Sequence, residues 1–307
     1  MESRWALILA GGDGLRLRSL TRRIAGDERP KQFCRVLSRE TLLEETVGRV
    51  ATVVSPDHIL TAVVWAHERF YAPLLASVSS RCVLIQPENR GSAPAILYGL
   101  LRLLAITATE PVAVFPSDHY VADTRAFMAH VNGAFEVVLS RPDLVVLVGI
   151  GPDTDEVEYG WIEPGEPIRG SWPWPLFRVR NFWEKPSRTM AKALQARGCL
   201  WNSFVVVAYP SALLALMRTA VPALVDAFAT VESRLGTPWE DESLRRVYAR
   251  LPSTDFSKHV LATRPANLAV LPLHGAGWND VGEPRRVMAT LARSGVYPDW
   301  AMTPSSS

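Results

Sequence analysis

Cysteine is scarce. Cys34, Cys82 and Cys199 are the only three in 307 residues, and they lie far apart. With no CxxC pair, neither a zinc ribbon nor a dithiol redox motif is suggested. An odd cysteine count without a secretory leader suits a reducing compartment, so a cytoplasmic protein is expected. Long apolar runs are missing too. The longest, 204–217, contains Pro210 and Ser211 and is too short to span a bilayer. The N-terminal MESRWALILAGGDG runs from a short apolar stretch into glycines, not to a cleavage site, so no membrane association is expected. Charge of one sign is also absent. The 33 Lys+Arg and 31 Asp+Glu leave a formal net charge of +2 with no basic block, which argues against a nucleic-acid partner. At that charge, 48% hydrophobic residues exclude disorder as the main state.

What the chain has is alternation. Apolar runs at 5–10, 59–65, 82–85, 112–115 and 144–150 read as buried strands. The stretches 41–54, 67–78, 93–106 and 124–139 read as helices between them, with Thr41 and Glu44 in capping-box spacing. Residues 11–35 read as one long polar loop. Strands alternating with helices imply βαβ units and a mostly parallel sheet. After Gly151 the pattern changes. Segments 158–168 and 177–183 read as antiparallel strands around a Gly/Pro-rich turn. Next come a helix at 187–197, a strand at 201–208 and a helical stretch at 211–250, broken near Pro222 and Pro238. A strand at 267–273 and a helix at 283–294 complete the series. No flexible linker or internal repeat intervenes. The expectation is a single α/β domain over 1–297 and a frayed tail at 298–307.

The first strand runs into Gly11-Gly12-Asp13-Gly14-Leu15-Arg16-Leu17. Glycines at the C-terminal end of a strand let backbone N–H groups approach an anion, so this is either a phosphate cradle or a tight turn beside a solvated basic loop. A dinucleotide fingerprint needs a third glycine where Leu17 stands, and a P-loop needs a Gly-Lys-Ser/Thr that is absent. The chain instead turns basic, with Arg16, Arg18, Arg22 and Arg23, then Arg29-Pro30-Lys31-Gln32-Phe33. This composition suits a polyphosphate, and the loop is long for a plain connection.

Leu9-Ala10-Gly11-Gly12-Asp13-Gly14-Leu15-Arg16-Leu17 with Pro30-Lys31-Gln32-Phe33 closely resembles the pattern L-A-G-G-x-G-T/S-R-L, then P-K-Q-F, of the sugar-1-phosphate nucleotidyltransferases. Within that family it is most similar to the mannose-1-phosphate guanylyltransferases. The resemblance runs from Trp5 to about Leu291. It implies that Leu9, Ala10, Gly11, Gly12 and Gly14 wrap a nucleotide and that Arg16 and Lys31 contact its phosphates. Leu15 departs from the family's Thr or Ser and removes a hydroxyl there. Residues 86–95 resemble E-P-x-x-R-N-T-A-P-A: Arg90, Ala93 and Pro94 agree, while Gln86, Gly91 and Ser92 do not. By this resemblance Gln86, Arg90, Gly91, Ser92 and Ala93 bind the nucleotide. Gln86-Pro87 with Gly91 also resembles the base-reading segment of the related thymidylyltransferases, which leaves the base open.

Asp118 follows strand 112–115, and ligands of open α/β sheets bind beyond the carboxyl ends of strands. It is either a catalytic carboxylate or a helix cap; its resemblance to P-S-D-H implies that it binds Mg²⁺. Tyr159-Gly160-Trp161-Ile162 resembles a Y-G-Y-I segment lining a sugar pocket. Phe182-Trp183-Glu184-Lys185-Pro186 resembles F-x-E-K-P, which implies that Glu184 holds sugar hydroxyls and Lys185 the sugar phosphate. Trp201-Asn202-Ser203 resembles W-N-S-G, with Asn202 on the sugar and Phe204 in place of the glycine. Trp278-Asn279-Asp280-Val281-Gly282 resembles W-x-D-V-G, making Asp280 the second metal carboxylate.

The fold so implied is Rossmann-like α/β: a mixed, mostly parallel sheet flanked by helices, of the nucleotide-diphospho-sugar transferase type, with a smaller antiparallel sugar-binding elaboration. About 1–150 would hold the nucleotide and 151–297 the sugar phosphate. The implied reaction joins GTP and mannose 1-phosphate into GDP-mannose and pyrophosphate, with Mg²⁺ on Asp118 and Asp280, and Arg16 and Lys31 completing the catalytic group. Alternatives are dTTP, UTP or ATP acting on glucose 1-phosphate, or a catalytically silent sugar-nucleotide-binding regulator. Retention of Arg16, Lys31, Asp118, Lys185 and Asp280 argues against the regulator. The missing third glycine disfavours a nucleotide-dependent oxidoreductase. The chain ends soon after the last motif, so one activity is expected. Relatives often form homodimers.

Overall fold

In β1 (Trp5–Leu9), Ala6 and Ile8 join one apolar cluster, and Trp5 and Leu7 another, as the two-residue period of a strand dictates. A strand buried on both faces belongs inside a sheet covered by helices on both sides. The computed structural model describes residues 3–296 and 298–302 and places it there. The further strands are β2 (Ile59–Val64), β3 (Val83–Gln86), β4 (Val112–Pro116), β5 (Tyr120–Val121) and β6 (Val145–Ile150). After them come β7 (Gly160–Pro167), β8 (Phe177–Glu184), β9 (Leu200–Ala208), β10 (Leu268–Leu273) and β11 (Trp278–Asn279).

Nine strands form one mixed sheet in the order β3-β2-β1-β4-β9-β6-β10-β8-β7. All but β8 and β9 run in one direction. Helices Leu42–Val50 and Thr124–Ser140 cover the Ala6 and Ile8 side. Helices Ser92–Ile106 and Pro210–Ala220 cover the Trp5 and Leu7 side. Each cluster draws on both halves of the chain. The Thr41 capping box forms: Glu44 N donates to Thr41 Oγ1 at 3.2 Å, and Thr41 N donates to Glu44 Oε2 at 2.8 Å. Among the described residues no single helix is long and apolar enough to cross a membrane.

Several elements differ from the sequence reading. The polar loop at 11–35 contains a helix, Arg18–Ala25. Its arginines face outward and conceal an apolar stripe: Leu17 and Leu20 pack with Val36, Leu37, Leu42, Val281, Val287 and Leu291. The helix expected at 67–78 is confined to Glu68–Tyr71. The stretch 211–250 breaks at Pro222 and around Pro238 as read, and once more at Phe228, giving four helices, Pro210–Ala220, Pro222–Ala227, Ala229–Glu232 and Glu240–Tyr248. Within the tail expected to fray at 298–307, Asp299–Met302 forms a helical turn, and Trp300 Nε1 donates to Val36 O at 3.2 Å. Residues 303–307 lie outside the described residues, as do Met1, Glu2 and Tyr297.

Two features of this topology position the site. The chain steps outward from β1 to β2 and β3, then returns to β4 on the other side of β1. That reversal opens a crevice at the strands' carboxyl ends. Leu9 pairs with Pro116, and Ser117 N donates to Leu9 O at 3.2 Å, so the loops after β1 and β4 leave side by side. The second feature is a ribbon of β5 and β11, with Asn279 opposite Tyr120. One step further along each strand, this antiparallel register carries Asp280 to the level of His119 and brings it to Asp118.

Candidate active site

The glycine loop is held from beneath. Gln32 Nε2 donates to Ala10 O at 3.0 Å and to Gly12 O at 2.8 Å. A Cβ on Gly11 would stand 3.1 Å from Gln86 Nε2, so Gln86 lies directly against the loop. Gln86 is itself buried, and its amide is used at both ends: Nε2 donates to Val63 O at 3.4 Å, and Oε1 accepts from the Tyr248 hydroxyl at 3.0 Å. Gly14 has φ +60°, and a Cβ there would meet Lys31 N at 2.9 Å. Glycine at 14 therefore permits both the left-handed turn and the close approach of the Lys31 backbone.

Lys31 Nζ donates to Asp280 O at 2.6 Å and to Val281 O at 3.3 Å, and stands 3.3 Å from Asp118 Oδ2. Asp118, Asp280 and Lys31 share a cleft of about 460 Å³ with the Gly14–Leu17 turn, His119 and Gly282. Arg16 is half exposed at its edge, 2.9 Å from Glu158. Such an exposed pair is weak, so Arg16 can exchange Glu158 for a phosphate. Leu15 lines the same cleft and is 64% exposed, an apolar side chain facing water where a hydroxyl would be at home.

Burial works to raise the Asp280 carboxyl, but Lys31 and Arg286 outweigh it and hold it below the usual carboxylate range. Burial outweighs the pull of Asp118 on His119 and pushes the imidazole down to about 4. His119 is therefore neutral at pH 7, seated edge-on to Trp278 at 5.1 Å. Asp118 and Asp280 offer carboxylate oxygens, the ligand type that magnesium takes. Among the described residues no group of three or more His, Cys, Asp or Glu could hold a metal. An ion on this pair would complete its shell from phosphate oxygens and water.

The residues expected at the sugar meet on the other side of Tyr159. Gly160 is paired with Glu184 across β7 and β8. A Cβ on Gly160 would lie 2.9 Å from Glu184 Oε2 and 3.2 Å from Asn202 Cβ, so the missing side chain is what lets Glu184 and Asn202 converge. Lys185 N donates to Tyr159 O at 3.3 Å. Asn202 Nδ2 donates to Ser257 Oγ at 3.2 Å, and Asn202 Oδ1 accepts from Phe204 N at 3.0 Å. Among the described residues the non-glycine positions with positive φ are Lys185 at +50°, Phe204 at +64° and Val281 at +48°. Each lies in or beside the site, where such strain concentrates at a cost of about 1–3 kcal/mol apiece. The value at Phe204 explains why glycine suits that position in W-N-S-G.

The loop Arg90–Ala93 is clamped by a segment that the sequence did not mark. Thr254 N donates to Arg90 O at 2.9 Å, Ala93 N to Thr254 O at 3.0 Å, and Phe256 N to Ser92 Oγ at 2.8 Å. Gly91 has φ +90°, and any Cβ there would fall 2.4 Å from Thr254 O. Arg90 itself pairs with Glu88 at 2.9 Å. The same segment brings Asp255 and Lys258 to Glu184 and Ser257 to Asn202, and it continues into the π-helical turn Ser257–Leu261. Arg286 was also missed. The one sequence signal for it is an arginine inside the first turn of helix Pro284–Ser294, where an acidic residue is the norm.

The nucleotidyl transferase family model matches residues 5–292. The chain is 30% identical over 287 residues to the xanthan biosynthesis protein XanB of Xanthomonas campestris pv. campestris (strain B100), covering 90% of this chain and 57% of XanB. It is 29% identical over 287 residues to the mannose-1-phosphate guanylyltransferase of Escherichia coli (strain K12), covering 91% and 58%. The chain thus spans a little over half the length of these curated relatives. A solved structure described as mannose-1-phosphate geranyltransferase from Thermus thermophilus superposes with a TM-score of 0.77 at 32% identity, covering 94% of this chain and 79% of that one.

Glu184 carries a pH prediction. Burial, then the nearby Asp255, push its carboxyl up to about 7 from an ordinary 4.5, against Lys185 and Lys258. Between those values the folded chain keeps a proton that the unfolded chain has lost. Stability should therefore fall as pH rises through that window. Urea midpoints at pH 5 and pH 7 should show a smaller decline in Glu184→Gln than in the parent; an equal decline would contradict the assignment.

Proposed function

Since the chain belongs to the nucleotidyl transferase family, we propose that it transfers a nucleotidyl group from a nucleoside triphosphate to a sugar 1-phosphate, most specifically from GTP to mannose 1-phosphate. The observation that carries this reading is the meeting of Asp118 and Asp280 at Lys31 beside the glycine loop. The name of the E. coli relative supports mannose 1-phosphate and guanine as the finer choice.

A phosphate oxygen of the sugar 1-phosphate forms a bond to the α-phosphorus, the bond from that phosphorus to the β-phosphate bridge breaks, and pyrophosphate leaves. The attacking phosphate monoester has a second pKa of about 6, so at pH 7 it already carries the electron pair it needs. A general base is not required, and neutral His119 takes no proton in this scheme. The remaining task is to bring two anions together, which is positioning and charge neutralisation. Magnesium fits Asp118 and Asp280 and, when bound, would supply charge neutralisation at the phosphates. Lys31 holds the two carboxylate loops in place and sets its ammonium beside the nucleotide phosphates. Arg16 leaves Glu158 for the departing pyrophosphate. Lys185 takes the attacking phosphate, and Glu184 and Asn202 orient the sugar hydroxyls.

Two variants test this assignment with GTP and mannose 1-phosphate. Asp280→Asn should lower pyrophosphate release by about 100-fold or more while remaining folded, the scale at which lost charge stabilisation acts. Near-normal turnover with magnesium would remove Asp280 from the chemistry. Lys185→Ala should raise KM for the sugar phosphate by about 10-fold or more, as loss of a charged hydrogen bond implies, with little change for the nucleotide. Equal shifts for both substrates would contradict the role given to Lys185.

A further inference from the structure

Arg286 reaches the cleft from behind. It lies in the first turn of helix Pro284–Ser294, an end where the helix dipole disfavours a cation, and it is 5% exposed. Helix stability gives no reason for it; its contacts do. Nη1 donates to Asp280 Oδ1 at 2.7 Å. Nη2 stands 3.2 Å from Glu156 Oε1. The guanidinium carbon lies 4.7 Å from the centre of the Tyr159 ring, and the Tyr159 hydroxyl donates to the same Asp280 Oδ1 at 3.2 Å. Gly282 N is a third donor to that oxygen at 2.9 Å.

All three donors therefore act on one oxygen. The other, Oδ2, has no hydrogen-bond partner among the described residues. The terminal torsion of an aspartate is broad when free; three donors on one oxygen fix it. Arg286 is itself held on two sides, by Glu156 and by the Tyr159 face, so it is a rigid support. We propose that Arg286 is a positioning residue, which locks the Asp280 carboxylate so that Oδ2 alone is offered to a divalent cation. The inference rests on the reading of Asp280 as a metal carboxylate. Its expected effect is opposite in sign to simple electrostatics. Were Arg286 only a nearby positive charge, it would repel the ion, and its removal would tighten binding. As a support for Asp280, its removal loosens binding.

The test uses the full chain and Mn²⁺ alone, with free Mn²⁺ followed by electron paramagnetic resonance, so the readout needs no turnover. Arg286→Met keeps the apolar stem and removes the donors. It should weaken Mn²⁺ binding by about tenfold or more, the usual effect of removing a partner that orients a metal ligand. At saturating cation it should also lower kcat while leaving both KM values within about threefold, since the substrate contacts remain and only the placement of the cation at the reacting phosphates is degraded. Arg286→Lys, which retains one charged donor, should recover part of both losses, and it decides the matter if Arg286→Met does not fold. Unchanged or tighter Mn²⁺ binding in a folded variant would overturn the proposal. So would failure of the parent to bind Mn²⁺ while Asp280→Asn is inactive, because a carboxylate set in advance must bind before substrate does. If Asp280→Asn remains active and the parent binds no Mn²⁺, the metal-carboxylate reading itself fails, and this inference with it.

Discussion

Lys31 ties together three stretches of chain that are remote in sequence. Its backbone lies against Gly14, its ammonium bonds the carbonyls of Asp280 and Val281, and the same group stands beside the Asp118 carboxylate. Two carboxylates brought into one half-buried cleft repel each other and lose hydration, and one of them would take up a proton unless a cation offset both effects. Lys31 offsets them at the front and Arg286 at the back. The Asp280 carboxyl is thus held below the usual carboxylate range with no substrate present. Everything else about the site follows from that arrangement being held in advance.

The frame that holds it is the sheet. The reversal between β1 and β4 places the glycine loop beside Asp118, and the ribbon of β5 and β11 adds Asp280 from the far end of the chain. On the other side of Tyr159, a hairpin register and a missing side chain at Gly160 do the same for Glu184 and Asn202. Backbone strain at Lys185, Phe204 and Val281 marks the places where the chain is bent to aim these groups. The backbone amides of Phe204, Val205 and Val281 donate to the side-chain oxygens of Asn202, Ser203 and Asn279 and hold two of those bends. The segment Thr254–Ser257 links the two sides, bonding the Arg90–Ala93 loop at one end and Asn202 at the other.

Much of this was legible in the residues. The strands 5–10, 59–65 and 144–150 are continuous apolar runs, and each is an interior strand within a residue or so of its expected limits. The glycine loop and Asp118 could be placed because each follows such a run. Asp280 could be named from its motif but not placed, since β11 is two residues long and has no period to read. Helix Arg18–Ala25 was hidden because its arginines dominate the composition while only a narrow stripe is apolar. Asp255 and Ser257 act through contacts with residues distant in sequence, and nothing local to them announces it; Arg286 bonds Asp280 only six residues back, but the Glu156 and Tyr159 contacts that seat it there come from a remote segment.

We propose metal-dependent nucleotidyl transfer as the chemistry of this cleft. It is tested most directly by pyrophosphate release from GTP, dTTP, UTP and ATP, each with mannose 1-phosphate and with glucose 1-phosphate, in magnesium and in EDTA. Release should be fastest with GTP and mannose 1-phosphate and should be abolished by EDTA. Release only with another pair would keep the chemistry and change the substrates. No release from any pair, with nucleotide still bound, would contradict the claim and leave a protein that binds nucleotides without transferring them.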